Sequence, residues 1–175
     1  MNNNLIITIG REYGTGGREI GQKLALRLGV PFYDRELITR AAKKTGFDEK
    51  LFEQLDKRAT NSFLYSLTMF GSVGLNGMSL TDQLYLAQSN IIREMAEDSS
   101  CVIVGRCADH VLRDFPNKFD FFIHGSIEDR VKRVQTCGDY VIEGKTPEAA
   151  LEKMDKQRST YYNYYTGKVW GKCDH

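Results

Sequence analysis

The first chemistry that the sequence offers is a glycine-rich loop directly after an apolar segment. Residues 5–9 are apolar or β-branched, and glycines follow at positions 14, 16 and 17. Glycine lets backbone N–H groups approach phosphate oxygens closely, and a helix that begins at the loop adds partial positive charge. The loop therefore predicts a phosphate site, and a glycine-rich turn without a ligand is the alternative. The residues assigned to this site are Arg11, Gly14, Thr15, Gly16, Gly17, Arg18 and Glu19.

This loop does not carry the lysine of the common phosphate-loop motif. The pattern G-x-x-x-x-G-K-[ST] requires a lysine where the chain has Gly17, and the dinucleotide pattern G-x-G-x-x-G fails at Glu19. An arginine can replace a lysine as a phosphate ligand, because its planar guanidinium presents a fork of donors. We expect Arg18 or Arg11 to supply the missing positive charge.

The elements that position this loop follow from the hydrophobic pattern. Short apolar runs at residues 5–9, 30–33, 101–104 and 119–123 predict strands, and the runs that are apolar at nearly every position are typical of a parallel sheet. Helical patterns separate them, including one that ends at Gly29 and one over residues 82–95 with Leu84, Ala87, Ile91 and Met95 on one stripe. The alternation predicts a three-layer α/β domain with a mostly parallel sheet.

Two further helices are predicted from their first residues. Ser126 and Asp129 have the spacing of a capping box, and Thr146 before Pro147 has the pattern of a cap and first-turn proline. One domain over residues 1–175 is expected, with a small lid at about 136–160. Residues 60–80 fit a mobile apolar loop and a broken helix equally well.

Composition excludes several classes of protein. Lys plus Arg total 24 against 23 for Asp plus Glu, so the net charge of +1 argues against a nucleic-acid or membrane-surface protein. The four cysteines form no C-x-x-C pair, no apolar run reaches the length of a membrane span, and the first residues are unlike a signal peptide. We therefore expect a cytoplasmic protein; a homodimer stays open.

Four segments resemble the cytidylate kinase-like family of bacterial proteins. They are IITIGREYGTGGREIG at 6–21, PFYD at 31–34, VIVGRCAD at 102–109 and YYNYYTG at 161–167. The resemblance covers essentially the whole chain. It implies the fold of P-loop nucleoside triphosphate hydrolases and nucleoside monophosphate kinases, ATP as phosphoryl donor with Mg²⁺, and a nucleoside monophosphate, CMP or dCMP first, as acceptor.

The resemblance also implies roles for the acceptor-binding residues. In true cytidylate kinases an Asp and an Arg six residues later contact the nucleotide, and Asp34 and Arg40 keep that spacing. A Gly-Arg-Asp segment holds the acceptor phosphate there. Arg106 matches its arginine, Cys107 stands at the acid, and Asp109 is the nearest carboxylate.

The transfer step is implied to depend on arginines nearer the end of the chain. Arg130 and Arg133 match a segment after the fourth strand, and Arg158 matches half of a lid motif whose first arginine is replaced by Leu151. Phosphoryl transfer needs in-line positioning and cations near the phosphate oxygens, and a guanidinium suits both. The predicted catalytic residues are Arg18, Arg130, Arg133 and Arg158, and no metal ligand is identified directly.

Three interpretations stay open at the level of sequence. The first is an ATP-dependent nucleoside monophosphate kinase. The second is a nucleotide-binding regulatory or interaction protein that has lost catalysis, which the missing loop lysine and lid arginine favour. The third is a kinase for another small acceptor. The tyrosines at 161, 162, 164 and 165 could stack on a base, although packing of a helix end is the simpler interpretation.

Overall fold

The computed structural model describes residues 3–34, 80–138, 140 and 146–172. Arg40 and most of the 60–80 segment lie outside the described residues. So do parts of the predicted lid, and the division of the chain into one domain with a lid at 136–160 stays a prediction. Within the described ranges no helix has the length and apolar character that crossing a membrane would need.

The described elements alternate between strands and helices. The strands are β1 (Ile6–Arg11), β2 (Phe32–Tyr33), β3 (Cys101–Val104) and β4 (Lys118–Ile123). The helices are α1 (Gly17–Leu28), α2 (Leu80–Asp98), α3 (Ala108–Val111), α4 (Ile127–Thr136) and α5 (Pro147–Thr166). The four predicted strands are all present, whereas the short helix α3 was not predicted.

The strands form one parallel sheet in the order β2-β3-β1-β4. In the register of this sheet Ile6 lies between Cys101 of β3 and Lys118 of β4. Because every strand runs in the same direction, the carboxyl ends of β1, β3 and β4 meet at one edge. Ligands of open α/β sheets bind beyond this edge, so the fold brings the glycine loop and Arg106 to the same side of the domain.

The sheet has a helical layer on each face. Ile7 and Ile9 of β1 pack with Ala25 of α1, whereas Ile6 packs with Ile92 and neighbouring residues of α2. Side chains of a strand alternate between faces, so β1 must be apolar on both sides. The predicted three-layer arrangement is confirmed.

The buried face of α1 consists of small residues, although the helix also carries large apolar ones. Leu26 is 82% exposed, and Ile20 and Leu28 are also exposed. The face that meets the sheet consists of Gly17, Gly21 and Ala25, and a Cβ added at Gly21 would lie 2.8 Å from Val104. Small residues let this helix approach the sheet closely, so its large apolar residues point elsewhere.

The buried stripe of α2 is shifted by one residue from the predicted one. Leu84 and Ile91 are buried as expected, but Gln88 and Ala96 are buried where Ala87 and Met95 were predicted. The helix also begins at Leu80, two residues before Asp82. A polar residue therefore occupies a core-facing position of this helix.

The capping residues of α4 and α5 act as predicted. The Ser126 Oγ accepts from the Asp129 amide at 3.2 Å, and the Thr146 Oγ1 accepts from the Ala149 amide at 3.2 Å. These side chains satisfy amides that lack a partner within the first turn of a helix. The strand β4 before α4 is less buried than expected, since Phe119 and Phe121 are about half exposed.

Candidate functional site

A left-handed turn follows β3 and sets the direction of Arg106. Three successive residues have positive φ: Gly105 at 80°, Arg106 at 59° and Cys107 at 55°. Non-glycine residues rarely adopt this conformation, and such residues cluster at functional sites because the surrounding structure must hold them there. Burial raises the pKa of the Cys107 thiol, so Cys107 is no thiolate nucleophile and its contribution here is to the turn.

A cavity of about 270 Å³ opens at the carboxyl edge of the sheet. It lies between the ends of β1, β3 and β4 on one side and helix α5 with the residues after it on the other. Its walls include three arginines from three different elements, Arg11, Arg106 and Arg158. Guanidinium groups are suited to phosphate, since each can donate two parallel hydrogen bonds.

Two contacts hold Arg106 within this wall. Its Nη1 donates to the amide oxygen of Gln88 on α2 at 3.5 Å. It also hydrogen-bonds the hydroxyl of Tyr161 on α5, whose pKa is raised chiefly by burial. Arg106 therefore lies between α2 and α5.

Arg158 is fixed from the opposite wall. Its Nη1 donates to the main-chain oxygen of Arg11 at 3.0 Å, and its guanidinium lies 5.1 Å from the centre of the Tyr13 ring. Both contacts tie α5 to the point where β1 ends and the glycine loop begins. Arg158 therefore links the cavity to the loop.

Two carboxylates complete the polar part of the cavity. Asp109 accepts from the Tyr162 hydroxyl at 2.5 Å, and the pKa of Tyr162 is raised, mainly by burial and also by this bond. Asp120 of β4 accepts from the Thr8 hydroxyl at 2.6 Å and pairs with Lys118. The cavity thus offers oxygen acceptors as well as cationic donors.

The tyrosine run of α5 divides between the cavity and packing. Tyr161 and Tyr162 line the cavity, whereas Tyr165 stacks on Tyr85 of α2 at 3.9 Å with nearly parallel rings and donates to Asp82 at 3.1 Å. The interpretation that these tyrosines pack a helix end is therefore confirmed for Tyr165.

The glycine loop lies under α4 and α5. Gly14 and Gly16 have φ of 82° and 75°, which favours glycine, and a Cβ at Gly14 would lie 3.1 Å from Leu151. Thr15 closes the turn by donating to the Glu12 main-chain oxygen at 2.9 Å. Leu151 is fully buried with Tyr13 and Val134, so the position that departs from the lid motif is part of the core.

Arg130 ties the loop to both helices. It is buried, its Nε donates to the Tyr13 main-chain oxygen at 2.8 Å, and it forms ion pairs with Asp155 and, at 3.5 Å, with Glu12. Asp155 also accepts from the Tyr13 amide at 2.7 Å, and burial raises its pKa against these stabilising contacts. Arg130 therefore has a structural role around the loop.

Arg133 lies directly on the loop. Its guanidinium carbon is 2.6 Å from the point where a Cβ of Gly16 would stand, and it pairs with Glu19. A hydrogen bond that Arg133 donates to the Tyr140 side chain raises the pKa of Arg133. Lys23, followed by Arg133, lowers the pKa of Glu19. Any residue larger than glycine at position 16 would displace this guanidinium.

Two of the predicted residues, Arg18 and Asp34, lie apart from the cavity. Arg18, proposed as a substitute for the loop lysine, bonds through its Nε to Asp34 at 2.6 Å, although these two residues were assigned to different substrates. Neither is among the described residues that line the cavity. Arg11 lies against Gly17 and Gly105, so it reaches from the loop toward Arg106.

Sequence reasoning missed Gln88 and Asp120 at this site, and it did not foresee the bond from Arg106 to Tyr161. Gln88 contacts Arg106, and Asp120 lines the cavity from the middle of β4. The sequence signal for Gln88 was its position next to Ala87, in the predicted apolar stripe of α2, where a polar residue is unusual. Asp120 interrupts an aromatic strand, and that interruption is the signal that could have identified it.

Comparisons with known proteins agree on the family and the fold. A model of the cytidylate kinase-like family matches residues 6–175. A solved structure of an uncharacterized protein from Eubacterium ventriosum ATCC 27560 is 30% identical, with a TM-score of 0.67 over 97% of this chain and 82% of that chain. Shikimate kinase from Bacteroides thetaiotaomicron is 16% identical, with a TM-score of 0.54 over 91% and 82%. No curated protein matches in sequence. The fold is that of the P-loop kinases.

Proposed function

We propose that this chain, which belongs to the cytidylate kinase-like family, transfers a phosphoryl group from ATP to a nucleoside monophosphate, with CMP or dCMP as the first candidate. In this reaction an oxygen of the acceptor phosphate forms a bond to the γ-phosphorus of ATP. The bond from that phosphorus to the β–γ bridging oxygen breaks, and ADP leaves. The family supports the reaction type, and the acceptor is our inference from the resemblance to true cytidylate kinases.

One observation carries the proposal: Arg11, Arg106 and Arg158 line a single cavity next to the glycine loop. Each comes from a different element, so their meeting depends on the fold and not on a local run of basic residues. A shared cavity with three guanidinium groups can hold phosphate oxygens of two substrates close together, which is the main requirement of phosphoryl transfer.

The acceptor is proposed to bind on the Arg106 side. The guanidinium of Arg106 would grip its phosphate, and Asp109, held by Tyr162, would accept from a hydroxyl or amine of the nucleoside. Asp34 and Arg40 are retained as proposed acceptor contacts from the resemblance. For Asp34 this requires exchange of its bond with Arg18.

The donor phosphates are proposed to bind along the glycine loop from Gly14 to Glu19, with Arg158 at the boundary between donor and acceptor. Arg133 is close enough to the loop to reach a phosphate seated there, after giving up its pair with Glu19. Arg11 and Arg18 stay candidates for the same charge. Arg130 would act through the loop conformation, because it is buried against Tyr13.

The residues at the cavity fit a magnesium ion held mainly by the substrate. Among the described residues, no three His, Cys, Asp or Glu side chains come together as a metal cluster. Mg²⁺ commonly uses one or two carboxylates together with phosphate oxygens and water, and Asp109 and Asp120 both line the cavity. The ion would supply charge neutralisation of the donor phosphates, and either carboxylate could bind it directly or through water.

Nucleotide binding without catalysis is the second candidate, and one observation favours it. The guanidinium of Arg133 lies over Gly16, where a bound phosphate would have to sit. A loop whose cation is held by Glu19 could bind nucleotide weakly and transfer nothing. A kinase for a different small acceptor is the third candidate, because the shikimate kinase neighbour shows that the fold alone does not determine the acceptor.

A substrate panel tests these candidates. The protein is incubated with ATP, MgCl₂ and each of CMP, dCMP, UMP, AMP and shikimate, and ADP and the phosphorylated product are measured by chromatography. We expect ADP only with an acceptor present and fastest with CMP or dCMP. Calorimetric binding of ATP or CMP without product from any acceptor would favour the second candidate, and product from another acceptor would favour the third.

A further inference from the structure

Gln88 is a polar residue in an apolar position. It lies on α2 between Leu84 and Ile91, and all three side chains face the core. Gln88 is only 1% exposed, as buried as its apolar neighbours. Glutamine is rarely buried to this extent. Burial of its amide costs free energy unless the amide is hydrogen-bonded, so we expect Gln88 to have a hydrogen-bond partner that an apolar side chain could not bind.

The partner of the amide oxygen is Arg106. The oxygen Oε1 of Gln88 accepts from the Nη1 of Arg106 at 3.5 Å, a long contact that can tighten. A guanidinium has donors and no acceptor, so the amide must turn its oxygen toward Arg106. The Nε2 of Gln88 is then left buried, and it has no hydrogen-bond partner in the part of the chain that the structure describes.

This arrangement is unfavourable for the stability of the fold. A buried amide nitrogen without a partner loses its hydrogen bonds to water, and no bond in the fold replaces them. A methionine of similar volume would have no such bonds to lose. Arg106 itself adopts φ of 59°, a second unfavourable feature at the same contact. Both features are accounted for if the contact serves to direct the guanidinium of Arg106.

We propose that Gln88 is a positioning residue that orients the Arg106 guanidinium toward the phosphate of the acceptor. This inference rests on the proposed function of the cavity. A neutral amide oxygen aligns the guanidinium without competing with a phosphate for its charge. A carboxylate at the same position would form an ion pair with Arg106 and oppose phosphate binding.

Two substitutions separate orientation from packing. Gln88→Met keeps the volume and removes the oxygen. We expect its Tm to equal or exceed that of the parent protein, while KM for CMP rises about tenfold and KM for ATP stays unchanged. Gln88→Glu should raise KM for CMP further, since the new carboxylate pairs with Arg106. Ser89→Ala on the same helix is the matched control. The Ser89 hydroxyl donates to the Tyr85 main-chain oxygen, so this substitution also removes a polar contact of α2, but not the one to Arg106.

A second measurement does not depend on turnover. The guanidinium of Arg106 should show restricted rotation by ¹⁵N NMR in the parent protein and faster rotation in Gln88→Met. If the parent protein phosphorylates no acceptor but this loss of order occurs, the proposed function fails and the positioning role stands. If Gln88→Met lowers Tm and leaves both the Arg106 signals and KM for CMP unchanged, Gln88 is a packing residue and the inference is wrong.

Discussion

The two arginine-rich regions of this molecule hold their guanidinium groups in different ways. Around the glycine loop they form ion pairs with carboxylates, Arg130 with Asp155 and Arg133 with Glu19, in addition to hydrogen bonds to neutral oxygens. In the cavity the described hydrogen bonds of Arg106 and Arg158 go to neutral oxygens, such as the Arg11 main-chain carbonyl that accepts from Arg158. Ion pairs between residues of the chain hold the loop against α4 and α5. Contacts with neutral oxygens orient a guanidinium and leave its charge uncancelled by that contact.

This difference indicates that the arginines on the loop side and those in the cavity should be tested as two separate groups. Substitutions on the loop side should change stability and the accessibility of the loop, whereas substitutions in the cavity should change turnover with little effect on folding. The sequence placed Arg130, Arg133 and Arg158 together as catalytic residues, and only the contacts divide them.

The largest effect is expected for Arg130→Met. Removal of this guanidinium breaks the ion pairs with Asp155 and Glu12, and it removes the bond to the Tyr13 main-chain oxygen. Loss of one member of a buried pair costs about 3–5 kcal/mol, and the partial exposure of both acids lowers our expectation to about 2–3 kcal/mol. Urea unfolding measures it, with the exposed Lys132→Met on the same helix as control. Equal stability of both variants would remove the distinction between the two regions.

The next effect is expected for Arg106→Met. Loss of a guanidinium that contacts the transferring or accepting phosphate lowers kcat/KM about 100-fold, which corresponds to about 2.7 kcal/mol. The free energy of unfolding should change by less than about 1 kcal/mol, since the hydrogen bonds of Arg106 to Gln88 and Tyr161 are to neutral groups. Arg113→Met, a surface arginine near the same turn, is the control. A loss of stability as large as that of Arg130→Met would contradict the comparison.

The sequence predicted more of the fold than of the site. All four described strands follow from short apolar runs, and the caps at Ser126 and Thr146 follow from side chains that satisfy local amides. These features are local, so residue type and spacing determine them. The face that α1 turns to the sheet is made of small residues, which a search for large apolar side chains overlooks.

The site was harder because its contacts span the chain. Arg106 follows a predicted strand and could be placed at the sheet edge, but its contact with Gln88 depends on how α2 packs. Likewise, Arg18 is next to the glycines in sequence, yet its Nε bonds Asp34 after β2. Proximity along the chain suggested that it would replace the lysine. Which arginine meets the phosphate depends on ion pairs that no spacing rule describes.

A smaller effect is expected for Glu19→Gln on the loop side. Glu19 pairs with Arg133 while that guanidinium lies on Gly16. Neutral glutamine should release Arg133 for the donor phosphate, so KM for ATP should fall about two- to threefold, within the range of a partly exposed ion pair. The effect should shrink at high salt. Lys23→Met, which removes the other partner of Glu19, should not lower KM for ATP. A rise in KM for ATP in Glu19→Gln would mean that the carboxylate holds Arg133 in its working position.

The smallest effect concerns pH and the helix that follows the Arg106 turn. Burial lowers the pKa of His110 on α3 from its ordinary 6.5, and its Nδ1 has no partner among the described residues. The unfolded chain therefore binds a proton more readily than the folded one, so the free energy of unfolding falls as pH drops from about 6.5 through the folded pKa. Comparison of Tm at pH 7.5 and pH 5 should show a larger decrease in the parent protein than in His110→Gln, by about a few degrees. The same decrease in both proteins would assign the acid sensitivity to the loop-side carboxylates, because these must stay charged to hold Arg130 and Arg133. The cavity side would then be the more acid-resistant region.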